Sequence, residues 1–396
     1  MSTAVMTSQF EVSSVANKLL RAAAIFWFGV AIIGQLVFAA SVAIFYGNSA
    51  VHGNWQVWNS GMSHGHQPGH TLSNFAVAAH LSGAVLIILL GALQLTPQVR
   101  NRFPVFHRWN GRVYLFGAFA ITISAMYMIW IRGSVGDFPQ HVGSTGNVLL
   151  VWIFGALALR SAMARDFTTH RRWALRLFIA LLGVWFYRVI MTLWLLANGG
   201  PAGFDAATFT GPALNVMAFA AYLVPLAILE LYLHAQKAPR AAQRIAMAGA
   251  LFVLTLVMGV GIAGAAVGSW IPNMDMRSNK LTDVIAQTIR AQGVDAAVAQ
   301  YRSLRAQGFP GLYEKESQTN SLGYQFLHGG QTNAAVAVLQ MNVDAHPNSA
   351  NAYDSLGEAY VGAGNKALAV ENYRKALTLD PKMNSSINAL KKLATP

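Results

Sequence analysis

The sequence predicts an all-α protein: a polytopic transmembrane helix bundle of about seven spans, followed by a soluble α-solenoid. Composition is the first observation that predicts it, because 54% of the 396 residues are hydrophobic and only 11% are charged, whereas soluble proteins carry about 25% charged residues. Long apolar segments before residue 270 are the second observation. A repeating period after that residue is the third. The chain therefore divides into a part that meets lipid and a part that meets water.

Seven apolar segments are long enough to cross a bilayer, which requires about 20 helical residues. They lie at about 22–46, 73–95, 112–131, 146–164, 176–197, 212–234 and 245–269. The first is too long for the core of a secretory signal, so it is expected to remain as a span. Three regions follow: a cytoplasmic N-terminal tail at 1–20, a transmembrane helical domain at 21–270 and an extracytoplasmic repeat domain at 271–396.

Basic residues are concentrated in alternate loops. One set of loops contains fourteen of them: Lys18, Arg21, Arg100, Arg102, Arg108, Arg112, Arg160, Arg165, Arg171, Arg172, Arg176, Lys237, Arg240 and Arg244. The opposite loops, 47–72, 132–145 and 198–211, contain only Arg132. Because basic loops stay in the cytoplasm, this bias predicts a cytoplasmic N-terminus. An odd number of spans then places the C-terminal domain outside. The basic charge belongs to membrane loops, so no nucleic-acid partner is expected.

A period of 34 residues marks the C-terminal region. Leu322, Gly323, Phe326, Gly330, Ala335 and Pro347 return as Leu356, Gly357, Tyr360, Gly364, Ala369 and Pro381. This is the period of tetratricopeptide repeats, in which small residues let paired helices approach closely. The expected packing residues are Leu322, Gly323, Ala335, Pro347, Leu356, Gly357, Tyr360, Ala369, Tyr373, Ala376 and Pro381. Repeats are expected at 316–349 and 350–383, and a degenerate unit at about 281–310.

Stacked repeats of this kind form a groove that commonly binds a peptide or protein. A docking or folding module without a separate ligand is the alternative. The repeat region contains no catalytic constellation, and no catalytic residue is expected in the chain.

Three histidines stand out in the membrane region: His80 lies within the second predicted span, and His107 and His170 each lie in a basic turn at the cytoplasmic edge, where a helix begins. The motif positions are His80, Gly91 and Gln94; His107, Arg108, Gly111, Arg112 and Tyr114; and His170, Arg171, Arg172, Trp173, Arg176 and Arg188. Over about 73–200 they resemble a bacterial family of predicted membrane proteins catalogued as a domain of unknown function. The resemblance implies a membrane fold in a bacterial cytoplasmic (inner) membrane and supplies no established activity. The apolar stretch 177–180 departs from the family's more polar continuation.

Ionisable residues inside a bilayer are functional candidates, because leaving one unpaired is costly. Arg188 lies about twelve residues into the fifth predicted span. It is either a counter-ion for an anionic ligand or cofactor, or a structural group that pairs with carbonyls or reaches the headgroups. His80 is either an interhelical hydrogen-bonding group or a metal ligand or proton carrier.

Three interpretations remain open for the His/Arg turns. His107 and His170 are compatible with ligation of a b-type haem, with arginines holding its propionates. The same arginines are compatible with binding of a quinone or of membrane lipid headgroups, or with a purely structural anchoring role. The candidate residues are His80, His107, His170, Arg108, Arg112, Arg171, Arg172, Arg176 and Arg188.

A histidine-rich outer loop contains His64, His66 and His70. Clustered imidazoles can bind Cu(II), Zn(II) or Ni(II), although a Gly-rich loop is also compatible with simple solvation. No carboxylate accompanies them, so an enclosed catalytic zinc is not expected. The absence of cysteine from the sequence excludes disulfides and thiolate catalysis.

The favoured hypothesis is a non-enzymatic membrane protein that presents its repeat domain for protein interaction outside the cytoplasmic membrane. A haem- or quinone-binding electron-transfer protein is the first alternative, and a small-molecule transporter is the second. The glycines of 259–264 superficially match a dinucleotide fingerprint. They lie in the last predicted span, which favours a role in helix packing.

Overall fold

The computed structural model describes residues 2–51, 55, 58, 62, 65–67, 69–205, 208–274, 281–309 and 314–394, with side chains from residue 12 onward. Within these residues every regular element is a helix, which confirms the predicted all-α fold class. The chain forms two compact units. One comprises Met1–Trp55 and His66–Asp275, and the other comprises Gln56–Gly65 and Met276–Pro396.

The membrane unit contains α1 (Ser2–Val51), α2 (Thr71–Leu95), α3 (Pro97–Arg102), α4 (Pro104–Tyr127), α5 (Phe138–Met163), α6 (Phe167–Leu181), α7 (Gly183–Asn198), α8 (Pro212–Ala235) and α9 (Ala241–Ala265). Short π-helical turns extend α4 and α9 to Gly133 and Trp270. Helices α1, α2, α4, α5, α8 and α9 are each long and apolar enough to cross a membrane. Their outer faces expose large apolar side chains such as Phe116 and Val216, as expected of lipid-facing surfaces.

The predicted third and fourth spans begin earlier than expected, at Pro104 and Phe138. Both prolines involved, Pro104 and Pro139, lie in the first helical turn, where proline is well tolerated. Asp137 caps the second of these helices by accepting from the backbone N–H of Gln140 at 3.3 Å. The polar residues of these turns are therefore helical as well as interfacial.

The predicted fifth span, 176–197, is not one continuous helix. Leu182 separates α6 from α7, and the two axes differ by 52°. Asn147 of α5 lies at the break and donates from Nδ2 to the carbonyl of Ala180 at 3.1 Å. Gly183 leaves room for this amide, since a Cβ there would lie 2.4 Å from Asn147 Nδ2. Lipid offers no hydrogen-bond donor to a backbone carbonyl at a helix break. The Asn147 amide, from a neighbouring helix, supplies that donor.

The bent pair α6–α7 nevertheless crosses the whole bundle. At one end of α5, His170 of α6 lies 2.9 Å from the carbonyl of Ala158. At the other end, Gln140 donates to the carbonyl of Phe209 at 3.1 Å, in the loop that follows α7. Because α5 is itself a span, its ends face opposite sides of the membrane. The bent pair is therefore a candidate for a seventh span, which gives six to seven spans in all.

The first and last spans run parallel. Ser13, early in α1, accepts from Arg244 at 2.8 Å, early in α9. Further along both helices, the ring of Phe38 lies 5.3 Å from that of Trp270. When the first and the last span run in the same direction, the total number of spans is odd. The chain therefore enters the bundle at one end and leaves it at the other.

The repeat unit consists of α10 (Leu281–Gln292), α11 (Val294–Ala306), α12 (Glu316–His328), α13 (Thr332–Ala345), α14 (Ala350–Gly362), α15 (Lys366–Leu379) and α16 (Asn384–Ala394). Most of the expected packing residues are buried: Leu322, Gly323, Ala335, Leu356, Gly357, Ala369, Tyr373 and Ala376. Tyr360 is half-buried, whereas Pro347 and Pro381 are exposed just after α13 and α15. The hairpin α10–α11 packs on α13, where the Tyr301 hydroxyl donates to the carbonyl of Met341 at 2.8 Å. The exact repeat and domain limits stay predictions.

Candidate functional sites

A polar cluster joins α2 to α4 at the end of the bundle where both helices meet the short α3. Asn110 Nδ2 donates to Gln94 Oε1 at 2.8 Å and to the carbonyl of Leu90 at 3.0 Å. Gln94 Nε2 lies 3.4 Å from His107 Nε2. Gly111 makes room for this amide, since a Cβ there would lie 2.9 Å from Gln94 Nε2. Most of these motif residues therefore serve close packing of two spans.

His107 and His170 both lie in this end of the bundle and are close enough to interact electrostatically. His170 Nδ1 bonds to a backbone carbonyl, which leaves its Nε2 as the nitrogen for any ligand. His107 differs, because its Nε2 contacts Gln94 and its buried Nδ1 has no hydrogen-bond partner among the described residues. Iron ligation by His107 Nε2 would require Gln94 to move. Haem binding by this pair stays a prediction.

His80 lies in a different part of the bundle. Its Nδ1 lies 3.1 Å from both the carbonyl of Ile121 and the hydroxyl of Ser124, across the α2–α4 interface. Ile121 is fourteen residues beyond His107 on α4, about 21 Å along a helix axis. His80 and His107 therefore do not form one site, and the contacts of His80 match the interhelical hydrogen-bonding interpretation.

Arg176 forms a bidentate ion pair that the sequence did not reveal. Its Nε and Nη2 donate to the carboxylate of Glu230 on α8 at 2.6 and 2.8 Å. Its guanidinium also lies 4.5 Å from the ring centre of Trp173. Paired in this way, Arg176 is occupied by the protein and is a weaker candidate for a propionate or headgroup. Glu230 was hidden because it is a single acid, 54 residues away in an apolar segment.

The remaining candidate arginines form a rim at the same end of the bundle. Arg108, Arg112 and Arg171 are exposed, and Arg172 is half-buried. Arg112 stacks over Trp109 at 4.9 Å. Exposed arginines beside tryptophan suit contacts with lipid headgroups.

Arg188 is separate from that rim. It lies on α7, beyond the break, with its guanidinium 5.3 Å from the ring centre of Phe38 on α1. No hydrogen bond or ion pair joins the Arg188 guanidinium to another side chain in the described part of the chain, although the Thr192 hydroxyl donates to the Arg188 backbone carbonyl at 2.9 Å. Structural pairing with a carboxylate is therefore not what holds it there.

The outer histidine loop is only partly described. His64 lies outside the described residues. His66 stacks against Trp55 at 6.0 Å, and His70 directly precedes α2. Across the described residues, no three His, Asp or Glu side chains are grouped to hold a metal ion. A metal site formed with His64 stays a prediction.

The first helices of successive repeat pairs share a polar face, here called the first-helix face: Tyr324 of α12, Asp354, Ser355 and Glu358 of α14, and Ser386 of α16. The Tyr324 hydroxyl donates to Glu358, and the Ser386 hydroxyl donates to Asp354. Burial raises the pKa of Asp354, although the Ser386 hydrogen bond opposes this. Burial and the neighbouring Glu358 carboxylate raise the pKa of Tyr324. The face therefore concentrates two half-buried carboxyl groups one helical turn apart.

A groove lies elsewhere on the repeat unit, lined by residues other than those of the first-helix face. This groove of about 430 Å³ is bordered by α11, α13 and the α14–α15 turn. Its polar lining includes Arg302, Gln340, Asp344 and Asn365. Because it mixes charges and amides, its ligand preference is less defined than that of the first-helix face.

Comparison with known proteins finds similarity to a membrane-protein family and to proteins with tetratricopeptide-type repeats. Residues 77–233 match the family described as "Predicted membrane protein (DUF2306)", which confirms the resemblance seen in the motifs. Human superkiller complex protein 3 is 38% identical over 65 residues, 16% of this chain and 4% of that protein. Cellulose synthase operon protein C of Escherichia coli (strain K12) is 34% identical over 85 residues, 22% of this chain and 7% of that protein.

These short alignments fit a tetratricopeptide-type region and cover little of either relative's length. No solved structure is significantly similar to the chain. Residues 77–233 are therefore similar to the DUF2306 family of predicted membrane proteins, and a tetratricopeptide-type helical region is fused to that membrane domain.

Proposed function

We propose that this protein is a multi-pass protein of a bacterial cytoplasmic membrane that holds its repeat domain on the outer side, where the domain binds a protein partner. The first-helix face carries the proposal of binding. Its two carboxyl groups and the tyrosine hydroxyl are presented by neighbouring helices of a solenoid, the arrangement that repeat proteins use to recognise extended peptides.

The orientation rests on charge and on the parallel packing of α1 and α9. The fourteen basic residues belong to segments at one end of the bundle, where α1 and α9 begin. Arg132, the exception at the other end, donates to the Ser73 hydroxyl at 2.6 Å, so it has a partner within the bundle. The basic end is expected to face the cytoplasm, and the chain leaves the bundle at the opposite end.

Reporter fusions test this topology. Alkaline phosphatase fused after Pro396 should be active, because the enzyme matures only outside the cytoplasm. The same reporter fused after Lys237, between α8 and α9, should be inactive. Activity at Lys237 but not at Pro396 would reverse the orientation. Equal behaviour at both sites would show that α9 does not cross the membrane.

The chemistry of the first-helix face defines the expected partner. Asp354 and Glu358 each accept a hydroxyl hydrogen bond, and an ionised carboxylate has about four acceptor sites in all. A lysine or arginine side chain of an extended peptide is the complementary group. We therefore expect a partner segment with at least one basic residue.

Zero-length carbodiimide cross-linking in intact membranes measures this contact when the basic residue is a lysine, because the reagent joins carboxylates to primary amines that touch them. In the double variant Asp354→Asn, Glu358→Gln, the yield of cross-linked adduct should be about tenfold lower than in the wild type. Glu371→Gln, an exposed acid on α15, should leave it unchanged. Asp344→Asn tests the groove bordered by α11, α13 and the α14–α15 turn. If the adduct is lost with Asp344→Asn and kept in the double variant, the first-helix face is the wrong site.

A further inference from the structure

Helix α4 carries a stripe of basic and apolar side chains on its outer face, here called the α4 stripe: Val105, Arg108, Trp109, Arg112 and Phe116. All five side chains are exposed, Val105 to 58%, Trp109 to 62% and Phe116 to 75%. Their spacing of three or four residues places them above one another on one side of the helix. A different face of α4 packs on α2. The α4 stripe therefore points away from that neighbour.

Arg108 and Arg112 lie near the level at which lipid headgroups meet the hydrocarbon core. The span Pro104–Gly133 has 30 residues, or about 45 Å of helix, whereas the core is about 30 Å thick. A centred span therefore extends about 7 Å beyond the core at each end. The two arginines lie about 6 and 12 Å from the start of the span, on either side of that boundary. Because helical side chains point toward the N-terminus, both guanidiniums are directed toward the headgroups.

No protein carboxylate compensates these two arginines. Residues 71–133, which include α2, α3 and α4, contain no aspartate or glutamate. Among the described residues, neither Arg108 nor Arg112 forms an ion pair, whereas Arg176 at the same end of the bundle is paired with Glu230. Like charges one helical turn apart repel each other. An anion placed beside both guanidiniums would therefore stabilise this part of α4.

An aromatic ring orients one of the two guanidiniums. The guanidinium carbon of Arg112 lies 4.9 Å from the centre of the Trp109 ring, a distance typical of cation–π contacts. This contact occupies the flat side of the guanidinium and leaves its N–H edge available to an anion. Tryptophan itself is enriched at the headgroup level. The preceding turn repeats the pairing, since Arg102 of α3 lies 5.9 Å from the Phe103 ring centre.

We propose that the α4 stripe binds an acidic phospholipid, with Arg108 and Arg112 beside the phosphate and Phe116 beside the acyl chains. Arginine donates two parallel N–H groups to a phosphate. A headgroup with net negative charge is favoured over a zwitterionic one, because the latter brings its own cation to two uncompensated arginines. A soluble acidic protein would reach the guanidiniums but not Phe116, one turn deeper in the span. This inference is independent of partner binding by the repeat domain.

Native mass spectrometry of the full chain, from nanodiscs with equal amounts of phosphatidylglycerol and phosphatidylcholine, tests the proposal. The wild type should retain phosphatidylglycerol preferentially. The double variant Arg108→Gln, Arg112→Gln should lower that preference about tenfold, since each arginine near the surface contributes about 1 kcal/mol. Trp109→Leu should lower it about threefold through loss of the cation–π contact. The matched control Lys237→Gln, Arg240→Gln removes the same charge from exposed residues of the α8–α9 turn and should keep the preference.

Three results would overturn the proposal. One is an unchanged preference for phosphatidylglycerol in the double variant Arg108→Gln, Arg112→Gln. Another is equal loss in that variant and in the α8–α9 control, which would indicate general attraction of acidic lipid to the basic end of the bundle. The third is displacement of the lipid by micromolar polyglutamate, which would identify a soluble acidic protein as the partner. If the double variant fails to fold in detergent, the single variants Arg108→Gln and Arg112→Gln should each lower the preference about threefold at an unchanged melting temperature.

Discussion

Gly261→Val is expected to destabilise the membrane bundle by about 2–3 kcal/mol, as overpacking of a tight interface does. A Cβ at this position would lie 2.8 Å from Val189 Cγ1, 2.9 Å from Leu193 Cγ and 3.0 Å from the backbone oxygen of Val189. The backbone atom cannot move aside as a side chain does. Since α7 approaches α9 at this glycine, valine should separate the bent pair from the last span. Thermal unfolding of the full chain in detergent micelles measures the effect.

Gly259 provides a matched control in the same helix. It is two residues away, and a Cβ there would meet nothing within 4 Å. Gly259→Val should therefore change stability by less than about 0.5 kcal/mol, as ordinary surface substitutions do. Equal melting temperatures for the two variants would show that α7 and α9 are not packed at Gly261. This pair also separates the packing role of the glycines of 259–264 from a general effect of valine in the span.

Much of this architecture follows from composition and period because each signal has a direct physical cause. Twenty apolar residues are what a bilayer requires, so the spans appear in the sequence without knowledge of their neighbours. The 34-residue period reflects one helical pair that buries its small residues against the next. That is why Gly323 and Ala335, identified from spacing, are buried in the structure.

Contacts between distant residues could not be predicted in the same way. The break at Leu182 depends on Asn147 of another helix, and a single asparagine in an apolar segment predicts no particular partner. Asn110 was missed for the same reason, although it connects α4 to the motif residue Gln94 and to Leu90, both on α2. The His/Arg motifs suggested one set of candidate site residues. In the structure, His80 and Arg188 lie apart from the basic rim.

Gly323→Ala is expected to destabilise the repeat unit by about 1–3 kcal/mol. Alanine normally stabilises a helix relative to glycine by up to about 1 kcal/mol, so the expected sign is the reverse of the usual one. The reason is Leu339, which is fully buried and whose Cγ would lie 2.4 Å from the new Cβ. The pair α12–α13 would have to separate, and Tyr324 would move away from Glu358.

Hydrogen exchange of the amides in α12 and α13 measures this loss in the intact protein, and Ser321→Ala, at an exposed position of α12, is the control. Exchange should accelerate in Gly323→Ala by about ten- to a hundredfold, which corresponds to the expected free energy through RT ln of the ratio. Because the membrane helices form their own compact unit, their exchange should stay unchanged. The cross-linked adduct should fall in parallel if the partner binds the first-helix face. Faster exchange with a full adduct would mean that the partner is held elsewhere, and unchanged exchange would mean that Leu339 does not pack on Gly323.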